Sequence, residues 1–223
     1  MPAHRNRALE DRIDSLLKTP LRNKDDLAKL FCTLLGFQFV GRRLSSESKE
    51  MWGDGAVAAI ARAGSFEILA QHGDVASGGF AIFYGEIKPF NLSTERALIA
   101  QLRKTFPDAL FVFADPRTLN SERGARVHLV HAKITGGAEQ DAASRMVVRR
   151  FRIGPGERYR TAAERLAKLD LNLAPGLSTL ALRDLCDMAF DKEALTDEFF
   201  KKLDGHIKDI ETDLRKNQSD LTP

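Results

Sequence analysis

Two cysteines in 223 residues are too few for the disulfide framework that holds a small secreted domain together. Cys32 and Cys186 each fall on the apolar face of a predicted helix, which points to buried free thiols and a reducing, cytoplasmic setting. Histidine is also scarce. The five histidines are scattered, and with two distant cysteines they make no zinc-ligand spacing. His128 and His131 stand three apart in a strand-like run, so they face opposite sides and are not expected to share a metal. No stretch approaches the roughly 18 apolar residues of a membrane span, and the N-terminus has no apolar signal-peptide core. Neither sign of charge dominates: 34 Lys and Arg stand against 31 Asp and Glu, a formal net charge of +3. That balance permits a nucleic-acid partner without requiring one. Internal repeats and low-complexity tracts are missing as well.

What is there is ordinary globular material. Apolar residues make up 43% and charged residues 29%, enough for one good-sized core or one domain plus a smaller appendage. Leu9, Ile13, Leu16 and Leu17 set a helix over 7–18, ending before Pro20. Leu27, Leu30, Phe31 and Leu34 set a second over 24–35, stopped at Gly36. Residues 37–40 read as a short strand, and 57–63 as the end of a small-residue helix. Residues 66–71 and 80–88 are apolar runs separated by Ser77-Gly78-Gly79, the pattern of a hairpin. A helix follows, capped by Asn91 or Ser93 and striped by Leu98, Ile99, Leu102 and Phe106.

The near-continuous apolar run 109–114 predicts a central strand covered on both faces. Residues 126–134 and 146–153 read as two more strands joined by a Gly/Ala-rich loop over 136–143. Composition changes at Gly154-Pro155-Gly156, the expected domain boundary. Helical patterns follow over 161–169, 178–190 and 195–214. The last carries Phe200, Leu203, Ile207, Ile210 and Leu214 in a heptad-like seam.

The stretch on which the chain turns is Phe80-Ala81-Ile82-Phe83-Tyr84-Gly85-Glu86-Ile87-Lys88. Residues two apart on a strand share a face, so Glu86 and Lys88 project together from the end of a largely buried strand. A carboxylate and an ammonium side by side can hold a divalent cation and a phosphate or water beside it. With an upstream acid, these residues resemble the PD-(D/E)XK nuclease motif. Asp74, twelve positions before Glu86, is the candidate for that acid if the hairpin turn aims it back; a turn Asp equally points into solvent. The same Glu-x-Lys also reads as a solvated pair on a strand end. The order helix, hairpin, helix, central strand agrees with the α-β-β-α-β core of those nucleases. The fold class expected is therefore α+β, a restriction-endonuclease-like α/β/α core on a mixed sheet with a C-terminal helical connector. In that fold the helix after the Glu-x-Lys strand often carries a supporting polar residue. Gln101 is the first choice here, ahead of Arg103 and Lys104, all of which also fit a solvated helix face.

A succession of stretches carries a narrower resemblance over roughly residues 60 to 215: Thr94-Glu95-Arg96, Phe106-Pro107-Asp108-Ala109-Leu110-Phe111-Val112-Phe113, His128-Leu129-Val130-His131-Ala132-Lys133 and Arg149-Arg150-Phe151-Arg152-Ile153. Arg160-Thr161-Ala162-Ala163-Glu164-Arg165-Leu166, Ala189-Phe190-Asp191 and Phe199-Phe200 complete it. It resembles the N-terminal region of type IIG restriction–modification proteins. In those, a nuclease-like region precedes a helical connector, an adenine-specific DNA methyltransferase and a target-recognition domain. The chain departs from that pattern by stopping where a methyltransferase would begin, with no Asn-Pro-Pro-Tyr motif or glycine-rich cofactor loop. It is expected to be a fragment or a stand-alone relative, and the seam of the last helix favours the fragment.

The resemblance implies a nuclease-like domain over 1–155 and a connector over 156–223. It implies metal-assisted phosphodiester hydrolysis of double-stranded DNA by a magnesium-dependent endonuclease. Asp74, Glu86 and the Ile87 carbonyl would ligate Mg²⁺, and Lys88 would orient water or stabilise developing charge. Arg149, Arg150 and Arg152 would contact the DNA backbone. Two alternatives remain: a catalytically inactive module of the same fold that docks DNA or the adjoining methyltransferase, and an unrelated small α+β protein.

Overall fold

The computed structural model of the chain describes residues 6–43, 58, 61, 64–134, 146–191 and 203–210. Its centre is a sheet of six strands: β1 (Gln38–Arg43), β2 (Gly64–His72), β3 (Phe80–Ile87), β4 (Ala109–Ala114), β5 (Val127–Ile134) and β6 (Met146–Ile153). Spatial order follows sequence order. β3 and β4 run parallel; every other neighbouring pair is antiparallel. The helices are α1 (Arg7–Lys18), α2 (Lys24–Ala28, continued by a π-helical stretch Lys29–Leu34), α3 (Leu92–Leu102), α4 (Arg160–Leu166) and α5 (Thr179–Ala189). A parallel pair cannot be joined by a tight turn, and α3 is the crossover between β3 and β4. The architecture is thus mixed α+β with an open mixed sheet.

Local chemistry accounts for the helix starts. Asn6, Asn23, Asn91 and Ser178 each accept a bond from a first-turn N–H of α1, α2, α3 and α5, satisfying donors that the helix itself leaves open. The apolar strand runs then bury both faces. One face packs against α1, α2, α4 and α5 through Ile13, Leu30, Phe31, Ile82, Val112, Leu166 and Leu182. The other packs against α3, where Phe66, Phe83, Phe111 and Phe113 stack in sequence across three strands with centroid separations of 5.5 to 6.2 Å. That stack dictates Gly85: a Cβ there would lie 2.2 Å from the Phe66 ring. Only glycine lets the ring cross β3 immediately before Glu86.

Contacts divide the chain into a compact unit of Met1–Phe190 and a second unit of Asp191–Pro223. The boundary expected at 155/156 falls inside the first unit, because the apolar faces of α4 and α5 (Ala163, Leu166, Leu182, Cys186) enter the same core as α1 and the sheet. In the second unit residues 203–210 are helical, with Leu203, Ile207 and Ile210 exposed. Ala58 and Ala61 are helical, in line with the small-residue run 57–63. The 136–143 loop, and Phe199, Phe200 and Leu214 of the expected last helix, lie outside the described residues. Among the described residues no helix is long and apolar enough to cross a membrane.

Candidate functional site at the Glu86 end of the sheet

β3 has two ends, and they differ in chemistry. At its start, Phe80 pairs with His72 across the hairpin; toward its end, Glu86 pairs with Ser65. Asp74 belongs to the first end. It caps a 3-10 turn, Val75–Ser77, accepting bonds from the Ala76 N–H at 3.1 Å and the Ser77 hydroxyl at 3.0 Å. Gly78, at φ 86°, completes a turn that holds Asp74 exposed. Glu86 lies six steps along the strand from Phe80, about 20 Å at the usual rise. The expectation that the hairpin would bring Asp74 to Glu86 is corrected accordingly: the turn satisfies the carboxylate locally.

Gln101 is also placed away from Glu86. α3 starts beside the Glu86 end, and Gln101 lies ten residues beyond its cap Asn91, about 15 Å along the axis. α3 moreover covers the opposite sheet face from the one Glu86 shares with Tyr84. The three arginines of β6 do not form one surface either. Alternation sends Arg149 to one face and Arg150 and Arg152 to the other. Arg150 is drawn inward, with Nη1 3.5 Å from the buried Glu95 carboxylate, whose other oxygen is 2.5 Å from His128 Nδ1. Arg152 is exposed. Glu95 thereby ties the first turn of α3 to β5 and β6.

Glu86 itself is half-buried, and Lys88, one residue past the end of β3, is exposed. Ile87 buries its side chain on the α3 face. Around Glu86 are residues that the motif did not indicate. The Tyr84 hydroxyl donates to Glu86 Oε1 at 3.2 Å. Burial and the Glu86 carboxylate, with a smaller effect from Glu67, push the Tyr84 phenol far up, so it is a permanent donor. Glu67 is the Cα partner of Tyr84 on β2 and faces the same side, where Lys24 of α2 donates to its Oε2 at 3.0 Å. Glu67 Oε1 is buried and, among the described residues, has no hydrogen-bond partner. Glu67 and Glu86 are thus diagonal neighbours on one face of an antiparallel pair, about 7 Å apart at their Cα atoms. Each carboxylate is anchored through one oxygen by a fixed donor.

β4 ends level with Glu86, its Ala114 paired to that residue, and Asp115 follows directly. Asp115 is fully buried. Its Oδ1 accepts from Arg117 Nε at 3.0 Å and from the Arg117 N–H at 3.2 Å; its Oδ2 accepts from Arg117 Nη2 at 3.0 Å and from Arg126 Nη2. Arg117 first, and then Arg126, hold this carboxyl at about 2, against burial. Arg126 continues over the Phe90 ring, 5.9 Å from its centroid, and Phe90 stacks on His128 at 4.3 Å. His131 goes to the other face, with Nε2 2.8 Å from Asp187 of α5. Burial pulls its imidazole down, against the upward pull of Asp187.

Sequence reasoning missed Glu67, Tyr84, Asp115 and Arg126. Two signals were available: Glu67 is a lone charge inside an apolar strand, and Asp115 stands at the carboxyl end of a parallel strand, where α/β sheets gather ligand groups. Among the described residues no group of three or more His, Cys, Asp or Glu side chains is placed to hold a metal. Glu67 and Glu86 do offer hard oxygen donors, and Mg²⁺ characteristically uses one or two carboxylates and keeps several waters. No protein-family model, curated protein or solved structure matches the chain.

Proposed function

We propose that the Glu86 end of the sheet is a metal-dependent phosphodiesterase site acting on double-stranded DNA, with Glu67 filling the role that the motif assigns to Asp74. The observation that carries this reading is the pair of carboxylates on one face, Glu86 and Glu67. Tyr84 and Lys24 each fix one oxygen, so the pair is oriented without being consumed by its partners. The order of helix, antiparallel β1–β2–β3, helix α3 and parallel β4 supports a restriction-endonuclease-like core.

In this reading Glu86 and Glu67, with the Ile87 carbonyl, would hold a Mg²⁺, whose chemistry is activation of water and charge stabilisation on phosphate. The residues of the chain supply the rest. Tyr84, kept protonated by burial and by Glu86, holds Glu86 in a single orientation. Lys24 compensates the charge of Glu67, which lowers the cost of burying that carboxylate. Lys88, exposed beyond the strand end, contributes positive charge where a phosphate would approach. Association with an adenine-specific methyltransferase and a target-recognition domain belongs to the same proposal and rests on the resemblance.

The test is plasmid nicking with Mg²⁺ or Mn²⁺, comparing the chain with Glu86→Ala and Lys88→Ala. Metal-dependent cutting that falls on the order of 100-fold in both variants is the expected result. The placement of Asp74, turned away from Glu86, favours a second reading, the non-catalytic DNA-docking module. DNA binding without cutting under any metal would select it.

A further inference from the structure

We infer that Arg117 and Arg126, held by Asp115 and flanked by Lys88 and Arg152, form the strip that grips the phosphate backbone of duplex DNA. This extends the reading above by naming a DNA-contact surface beside the site, and it rests on that reading for its partner. The positions argue for it. Asp115 comes directly after Ala114, the last residue of β4 and the partner of Glu86. Arg126 leads into β5, and its N–H and carbonyl fasten the loop through Thr118 Oγ1 at 2.9 Å and the Asp115 N–H at 3.0 Å. Phe90, two residues after Lys88, lies under the Arg126 guanidinium, so the end of β3 and the start of β5 present their cations together. Arg152 pairs with His128 on the same sheet face.

The chemistry separates this strip from an ordinary solvated charge cluster. Asp115 is buried, while the Arg117 and Arg126 side chains remain 68% and 53% exposed. The carboxylate works from beneath and takes Nε and Nη2 of Arg117 and Nη2 of Arg126. A guanidinium has five donors in a fixed plane; the donors that Asp115 does not take stay on the solvent side. Such a fork suits a phosphate oxygen pair. Its side-chain entropy is largely lost before any ligand arrives, which reduces the cost of binding. Asp115 is a positioning residue here. Interactions of this kind fix where the backbone lies and read no sequence.

The experiment is fluorescence anisotropy of a labelled duplex titrated with the chain, with Ca²⁺ replacing Mg²⁺, over a series of salt concentrations. Arg117→Ala combined with Arg126→Ala should weaken binding about tenfold and lower the slope of log affinity against log salt by about 2, one for each phosphate no longer neutralised. The lysine pair, Arg117→Lys with Arg126→Lys, should recover the slope because the charges return. Asp115→Asn is the sharpest arm. It removes a negative charge from the protein, so a field effect alone would tighten binding; loss of positioning weakens it. A thermal melt accompanies that variant, and if it does not fold the arginine pairs decide. Lys104→Ala, exposed at the far end of α3, should change nothing. Unchanged affinity and slope in the double alanine variant overturn the inference, even if plasmid cutting depends on Glu86. Binding that follows these predictions without any cutting upholds it and removes the catalytic reading.

Discussion

Asp115 follows Ala114, the β4 residue paired to Glu86, and the two acids carry their charge in opposite ways. Asp115 is saturated: two arginines and a backbone N–H occupy both oxygens. Its low pKa, about 2, is the signature of a carboxylate whose charged form is fully matched. Among the described residues, Glu86 accepts from a neutral phenol, and its diagonal neighbour Glu67 keeps a buried oxygen with no partner. A saturated carboxylate is a strut, since it has nothing left to offer a ligand. An under-partnered pair is a liability to stability unless something cationic completes it. One sheet end therefore contains a structural acid and an available acid pair one strand apart.

The comparison breaks most readily at Glu86. Glu86→Gln keeps the Tyr84 bond and removes the charge, and should abolish metal-dependent cutting on the order of 100-fold with little change in melting temperature. Gly85→Ala tests the frame instead of the charge. The added methyl would meet the Phe66 ring at 2.2 Å, and forced repacking of the phenylalanine stack should destabilise the fold by about 2 kcal/mol, read from chemical denaturation. Glu67→Gln should weaken Mn²⁺ binding roughly tenfold while leaving stability nearly unchanged, because the lost Lys24 pair is offset by removal of a buried, half-partnered charge.

The smallest effect belongs to the strut. The Asp115 pKa is lower folded than unfolded, so the stability it contributes is present above the unfolded value near 3.9 and is lost as pH falls through about 2. Asp115→Asn should thus cost roughly 1 kcal/mol near neutrality, discounted for the exposure of its arginine partners. That cost should shrink between about pH 4 and pH 2, measured by urea unfolding at stepped pH.

Much of the fold was legible because its signals are local. The apolar runs at 80–88 and 109–114, and Asn91 as one of the two offered caps, each fix an element by the period or capping chemistry of a few residues. The site was less legible because it depends on register. Glu86 and Lys88 could be found from spacing along one strand. That Glu67, and not Asp74, stands beside Glu86 follows only from the pairing of Glu67 with Tyr84, which no linear pattern encodes. The three arginines of β6 looked like one basic stretch, but strand alternation divides them and the buried Glu95 engages Arg150. Gln101 was chosen as a polar residue on the helix after the Glu-x-Lys strand; which end of that helix meets the strand terminus is a matter of tertiary packing. The boundary at 155/156 was drawn on glycine and proline content, whereas the apolar faces of α4 and α5 decide it by entering the first core.

The contrast between the two acids is tested most directly by calorimetric Mn²⁺ titration of the chain alongside Glu86→Gln and Asp115→Asn. One saturable site in the chain, lost in Glu86→Gln and retained in Asp115→Asn, is the predicted result. Equal heats in the chain and Glu86→Gln, or loss of binding in Asp115→Asn alone with its fold intact, would contradict it.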